Sequence, residues 1–492
     1  MKANAHTRKE NLILLADAYK YSHHKLYAPG TTKIYSYLES RGGKFSSTMF
    51  FGLQYYLKQY LEGIAFTKED VDEAESFMLE VFGRNDVFDR SIFDYIVERH
   101  GGQLPVKIKA VPEGTTVPVH EVLMSIENTD PKCFWLTNFL ETILMQVWYP
   151  ITVATLSAEI KKVVAKYFEE TATENANIDF VLNDFGFRGV SSVESAGLGA
   201  AAHLISFEGS DTLIGSVFAK RYYNADKVYG HSVPATEHSI CTLLGEQGEL
   251  SIFEHVLKTF PTGIVACVSD SYNILKACEE YWGTALKKKI LEREGVLVVR
   301  PDSGDPIQTL LKVFEILMER FGHSINSKGF KVLPKQIRVI QGDGINYESI
   351  LDIYKALKSN GISAENLVLG MGGALLQKVD RDTQKFALKC SYAEINGKGL
   401  NVQKSPTELD ANGNITKSFK KSRAGRLKLV KWNNSYKTVA ENEFPELADE
   451  LVTVFENGLI KEECTYETIK LTAALQNNKY QAVETLQENY DY

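Results

Sequence analysis

"VLVVRPDSGDP", residues 296–306, passes from four apolar residues directly into an arginine, two aspartates and a glycine. The apolar start reads as a buried strand, because three of its four residues are β-branched. Beyond the loop the pattern turns helical. Asp305 can cap a helix with Pro306 at its first position, and Ile307, Leu310, Leu311, Phe314, Leu317, Met318 and Phe321 repeat with the 3.6-residue period of one buried face. Strand, polar loop and helix thus succeed one another within about 30 residues, one unit of an α/β fold.

The unit recurs. "FVLNDFGFRG" (180–189), "GIVACVSDS" (263–271), "IRVIQGDG" (337–344) and "LVLGMGG" (367–373) are further short apolar runs ending in Asp, Gly, Ser or Arg. Ser191 with Glu194 has the spacing of a capping box ahead of another helix. The polar positions Asp184, Asp211, His238, Asp270, Asp302 and Asp343 succeed one another at intervals of 27 to 41 residues. Such repetition implies parallel strands joined by right-handed crossovers, closing wholly or nearly into a barrel. In a barrel the loops after the strands share one face, so Arg300 and Asp302 are expected to face the same cavity as Arg188, Asp211, His238, Asp270 and Asp343. A doubly wound open sheet would use the same strand ends.

Outside this middle region, expected over 151–384, the pattern changes. Residues 1–150 mix helical stretches such as "FFGLQYYLKQYLEG" with strand-like "PVKIKAVPEG". Residues 385–492 alternate and carry Asn-Gly hairpin signals at 396–397 and 412–413. The two flanks are expected to form one α+β domain. A length of 492 residues with 44% hydrophobic content suits two domains. The net charge of −8 argues against a general nucleic-acid or membrane-surface binder. Six cysteines without CxxC spacing suggest neither a zinc site nor a disulfide framework. No apolar stretch approaches the roughly 18 residues of a membrane span, so the cytoplasm is the expected address.

The loop residues suggest a ligand. A carboxylate can take the vicinal hydroxyls of a ribose, an arginine meets phosphate bidentately, and glycines let main-chain N–H groups approach phosphate oxygens. Singly, "RPDSGDP", "QGDG" and "GMGG" would also serve as turns and caps. Together at one face they favour a phosphorylated sugar. His238, in "SVPATEHS", could move protons, bind metal or accept a phosphoryl group, or could be a hydrogen-bonded structural histidine. Phe185 and Arg188 share one loop, where a ring could stack on a flat heterocycle or simply fill core. "KSFKKSRAGRLKLVK", 417–431, holds seven basic residues and no acidic one, either a solvated strand pair or a phosphate anchor.

These stretches, with "LLADAYKYSHHKLY", "YSYLESR", "NTDP", "WYPITVAT", "VSDSYN" and "RDTQKFALKCSY", resemble the nicotinamide phosphoribosyltransferases of microbial and phage type over nearly the whole chain. The resemblance implies an incomplete α/β barrel of the type II phosphoribosyltransferase kind and a second domain built from both termini. It also implies a homodimer with active sites at the subunit interface. The implied reaction joins nicotinamide to 5-phosphoribosyl-1-diphosphate, giving nicotinamide mononucleotide and diphosphate in NAD salvage. By resemblance, His238, Arg300, Asp302 and Asp270 carry the chemistry, and ATP phosphorylates His238 to couple its hydrolysis to product yield. Magnesium acts mainly through the diphosphate and water, beside Arg188 and Arg300, while Asp302, Gly342 and Asp343 hold the ribose. Phe185 and a Tyr19 from the partner subunit sandwich the pyridine, and Asp211 accepts from the carboxamide. Gly372, Gly373 and Arg381 hold the nucleotide phosphate, with Arg41, Lys389, Lys404, Arg423 and Arg426 as weaker phosphate contacts.

Asn183 and Ala266 stand where animal members have histidine and serine. The nearest rival is a nicotinate phosphoribosyltransferase, which Asp211 argues against by repelling a carboxylate. A non-catalytic nucleotide-binding protein on the same fold is the rival from another class.

Overall fold

Strands that are apolar on both faces need cover on both, which helices outside and a packed barrel inside provide. The computed structural model describes residues 10–404, 407–409, 415–417 and 422–476. All five quoted apolar stretches form strands within it. In chain order the parallel strands are β1 (Leu182–Asp184), β2 (Gly209–Ser210), β3 (Thr262–Val268), β4 (Glu294–Arg300), β5 (Ile337–Gln341) and β6 (Leu367–Met371). They pair in the order β2-β1-β6-β5-β4-β3. Only β2 lacked an apolar signal.

The sheet curls until one extended stretch spans its two edges. Gly209 bridges His231 on one side and Ala235 bridges Ala266 on the other. The bonds are His231 N to Glu208 O at 2.8 Å, Ser210 N to His231 O at 2.9 Å, Ala266 N to Pro234 O at 2.9 Å and Thr236 N to Ala266 O at 3.0 Å. Pro234 has no N–H to give a ladder, and the stretch makes only isolated bridges, so the six strands form an incomplete barrel. Inside, Ala266, Val298 and Ile340 form a buried apolar cluster with Phe185, Val296 and Val368 against it.

The helix after β4 runs Pro306–Phe321, and the Asp305 side chain accepts from Gln308 N. Its buried face is Leu310, Val313, Phe314, Leu317, Met318 and Phe321, each contributing roughly 1.5–3 kcal/mol on burial. After β1 the helix is Val193–His203, and here the expected cap moves by one residue. Ser192, with extended backbone at φ −153°, places its hydroxyl to accept from Ser195 N. Ser191 instead donates its N–H to Gln377 Oε1 at 3.0 Å.

The chain divides into two compact units. The barrel unit is Leu156–Lys220 with Asp226–Val379. The other comprises the described residues up to Thr155, the segment Arg221–Ala225 and those from Asp380 onward. The boundaries therefore differ from 150 and 385 by five residues each, and a piece of the middle region joins the terminal unit. Aromatic packing explains that piece: Tyr222 lies 4.6 Å from Tyr55 and Tyr223 lies 5.0 Å from Phe51, centroid to centroid. The sheet of this unit draws Thr31–Ser40, Val106–Ala110 and Val122–Asn128 from one end of the chain. Phe386–Ile395, Lys398–Asn401, Val452–Glu456 and Leu459–Ile460 come from the other. Asn396 and Gly397 take φ of 52° and 74° between paired Ile395 and Lys398, the turn that an Asn-Gly hairpin requires. The second signal, at 412–413, lies outside the described residues, as do Lys420 and Lys421 of the basic run. Cys133, Cys241, Cys267 and Cys278 are buried free thiols, and Cys390 and Cys464 are free and half-buried. Among the described residues no single helix is long and apolar enough to cross a membrane.

Candidate active site

A cavity of about 600 Å³ opens at the C-terminal ends of the barrel strands. Each strand end feeds it. Phe185, Phe187, Arg188 and Gly189 lie beyond β1, Asp211 and Thr212 beyond β2, and Glu237 with His238 beyond the bridging stretch. Val268 ends β3, Arg300 and Asp302 come from the end of β4, Gly342 and Asp343 from that of β5, and Gly372 with Gly373 from that of β6. Phe185, Arg188, Asp211, His238, Arg300, Asp302, Asp343 and the glycines 342, 372 and 373 thus share one hollow.

Phe185 is fixed from below. Its N–H bonds Met371 O at 3.0 Å, and the ring lies so close over Gly370 that a Cβ there would fall 2.1 Å from Phe185 Cε2. The Arg300 guanidinium carbon stands 5.5 Å from the ring centroid, within cation–π range. Arg300 also donates through Nε and Nη2 to Asp302 Oδ1, at 3.2 and 2.9 Å. This pair passes close to Gly342, where a Cβ would come within 3.1–3.3 Å of both side chains. Ala266 belongs to the cluster beneath the ring, whereas Asn183 donates to the main-chain oxygens of Phe180 and Leu369.

His238 is half open to solvent, with 52% of its side chain exposed, while its partner Asp270 is 3% exposed. His238 Nε2 lies 3.3 Å from Asp270 Oδ1. Asp270 Oδ2 accepts from Asp302 N at 2.9 Å and from Ser303 Oγ at 2.6 Å. Asp270 is not among the residues that line the cavity; it ties the histidine to the loop that carries Asp302. A carboxylate accepting from Nε2–H leaves the Nδ1 lone pair of a neutral imidazole available as a nucleophile. Across the cavity, Asp211 Oδ1 accepts from the Ser232 hydroxyl.

The other expected site residues belong to the terminal unit. Tyr19 is 60% exposed on the short 3-10 turn Ala18–Ser22. Arg41 bonds Glu39 at 2.7 Å, and Arg381 bonds Asp382 at 3.2 Å. Lys389 is held below the ordinary lysine range by burial first; Glu141 opposes the shift, while Arg41, Lys404 and Arg381 add to it. Arg423 is engaged by Glu121, and Arg426 by Glu127 and Glu441. These two arginines are therefore already neutralised by carboxylates within their own unit. The one-letter pattern could not show that, because Glu121 and Glu127 lie some 300 residues earlier in the chain.

Glu237, Thr212 and Phe187 line the cavity as well, although the sequence assigned them no role of their own. Glu237 precedes His238, Thr212 succeeds Asp211 and Phe187 precedes Arg188, so adjacency in a loop was the available signal.

Residues 180–458 match the nicotinate phosphoribosyltransferase (NAPRTase) family, and residues 11–108 match the nicotinamide phosphoribosyltransferase N-terminal domain. A nicotinamide phosphoribosyltransferase of Xanthomonas campestris pv. campestris is 45% identical over 473 residues, covering 94% of this chain and 98% of its own. One from Acinetobacter baylyi is 31% identical, covering 95% and 97%. Among solved structures, a nicotinate-nucleotide pyrophosphorylase from Pyrococcus furiosus aligns with a TM-score of 0.60 at 17% identity, covering 98% of this chain and 99% of its own. Human nicotinic acid phosphoribosyltransferase aligns with a TM-score of 0.55 at 16% identity, covering 94% and 93%. At those identities the structural likeness speaks to the fold alone.

Proposed function

This chain belongs to the nicotinate phosphoribosyltransferase family, in its nicotinamide-using branch, and we infer that its barrel cavity makes nicotinamide mononucleotide and diphosphate from nicotinamide and 5-phosphoribosyl-1-diphosphate. The fold is the incomplete α/β barrel of type II phosphoribosyltransferases. The observation that carries the reading is the meeting of two arginines, three aspartates, a histidine and two phenylalanines in one hollow, drawn from separate strand ends.

The chemistry comes from those groups. As diphosphate leaves C1, positive charge grows on the sugar and negative charge on the leaving group. Arg188 and Arg300 stabilise the latter, where fixed charge acts more strongly than in water. Asp302 and Asp343 accept from the ribose hydroxyls, and the open space above Gly373 leaves room for phosphate against main-chain N–H groups. Phe185 stacks on the pyridine, whose own nitrogen attacks C1, so no enzyme base is required. Asp211 accepts from the carboxamide NH₂ and repels the carboxylate of nicotinate. Magnesium fits this site, since the ion would be held mainly by the diphosphate and water, with the hard carboxylate oxygens of Asp302 and Asp343 near enough to bond its waters. When bound it supplies neutralisation of the diphosphate charge.

We further propose that ATP phosphorylates His238 at Nδ1, with Asp270 holding the ring, and that the protein acts as a cytoplasmic homodimer in which the exposed Tyr19 completes the partner's pyridine site. The free thiols suit a reducing compartment. The test is turnover: the purified protein with nicotinamide, phosphoribosyl diphosphate and magnesium forms the mononucleotide, and forms the nicotinate product far more slowly. No turnover of nicotinamide, or a preference for nicotinate, defeats the assignment.

A further inference from the structure

Behind the cavity lies a carboxylate that the reaction as described leaves unused. Asp184 ends β1 with 0% of its surface exposed. Its Oδ1 accepts from Gly186 N at 2.7 Å and its Oδ2 from Ser210 Oγ at 3.3 Å. These donors belong to two walls of the cavity. Gly186 lies between Phe185 and Arg188 in their loop, and Ser210 directly precedes Asp211 and also accepts from Thr212 N at 3.0 Å. The main chain joins the same walls, Asp211 N donating to Asp184 O at 2.9 Å. Glycine makes the arrangement possible: a Cβ at Gly186 would come 3.0 Å from Asp184 Oδ1 and 2.7 Å from Leu376 Cγ.

The hydrogen bonds alone do not explain why this group is an acid. An asparagine of the same shape could still bridge both walls without burying a charge, its oxygen accepting from Gly186 N and its NH₂ donating to Ser210 Oγ once that hydroxyl turns away. Burial, against the hydrogen bonds from Gly186, Thr212 and Ser210 and with a small addition from the like charge of Asp211, pushes its pKa up to about 6, so above neutral pH it is ionised in spite of its surroundings. Asp184 and Asp211, joined through the main chain and close enough for their charges to act on each other, are then both negative at neighbouring strand ends of the cavity. Building on the function inferred above, we propose that Asp184 is a positioning and specificity residue of the pyridine pocket: it pins the Phe185–Arg188 loop to the Asp211 strand end and backs Asp211 with a second negative charge that disfavours a carboxylate on the ring.

The test compares wild type, Asp184→Asn and Asp184→Ala at pH 8, with KM and kcat for nicotinamide and for nicotinate measured separately and folding checked by thermal melt. Asparagine keeps the Gly186 link through its oxygen and the Ser210 link with the direction reversed, its NH₂ donating to Ser210 Oγ, and it removes the charge. It is expected to raise the nicotinate-to-nicotinamide ratio of kcat/KM about tenfold, as loss of one nearby charge in a partly desolvated site implies. Alanine removes the links, so KM for nicotinamide rises roughly tenfold or more while kcat falls less. A folded Asp184→Asn enzyme with an unchanged ratio overturns the proposal, as does a uniform loss of kcat for both substrates. If wild type itself fails to turn over nicotinamide, the inferred function fails instead, and the two failures are distinct.

Discussion

Replacing Gly370 by alanine tests whether Phe185 is placed from beneath. The strand backbone at this position needs no left-handed conformation, so the added methyl acts only through space. It would stand 2.1 Å from Phe185 Cε2 and 2.5 Å from Cδ2. Carbon atoms in contact prefer about 3.5 Å or more, so the ring must retreat by about 1.4 Å, toward the cavity. Overpacking of this kind costs roughly 1–3 kcal/mol of stability, and a displaced ring forfeits about 0.5–1.5 kcal/mol of stacking on its ligand. If the retreating ring also enters the ligand's space, the total loss in nicotinamide binding is on the order of 1–3 kcal/mol, a rise in KM of roughly five- to 150-fold. The assay is steady-state synthesis with nicotinamide varied at saturating phosphoribosyl diphosphate, then the reverse. KM for the sugar substrate should move far less. A folded Gly370→Ala enzyme whose KM for nicotinamide stays within about twofold of wild type would refute the reasoning, since the added carbon has no other place to go.

Three further outcomes are expected. His238→Ala should keep measurable synthesis but lose its stimulation by ATP and any acid-labile phosphate label; ATP coupling that persists in the variant removes the phosphohistidine role. Asp211→Asn should weaken nicotinamide use about tenfold and relax the exclusion of nicotinate, because the substituted amide can donate to a carboxylate where the aspartate repelled it; unchanged selectivity in product assays counts against the pocket assignment. Glu113, buried in the terminal unit and accepting from Gly52 N and Gln54 N, is pushed from 4.5 to about 7 by burial. Its folded-state pKa lies above the unfolded value, so its contribution is favourable at low pH and is lost as pH rises from 4.5 through 7, by roughly 3 kcal/mol in all. Glu113→Gln should therefore flatten the pH dependence of thermal stability over that window, and an equally steep profile in the variant would contradict this.

Much of the barrel was legible because its strands are short apolar runs that end abruptly in polar residues, and because Asp305 and Pro306 together mark a helix start. Where the pattern weakened, local competition decided. Ser191 and Ser192 are both able to cap, and only the backbone angle and the pull of Gln377 on the Ser191 N–H select between them. The bridging stretch around Pro234 carries no strand signal, since it bonds to both sheet edges without being a strand.

The sequence by itself determined the alternation of strand and helix, the set of charged loop ends and, through resemblance across nearly the whole length, the family. Those properties are local or cumulative along the chain. Only the tertiary structure decided which charges share a cavity and which are neutralised elsewhere. Arg300 and Arg426 look alike in one-letter code, yet Arg300 lines the cavity beside Asp302 and Phe185, while Arg426 is gripped by Glu127 and Glu441. The same holds for Asp184 and Asp211, one sealed behind the wall and the other facing the ligand space. Electrostatic roles depend on distance and solvent exposure, and these arise from contacts between residues far apart in sequence.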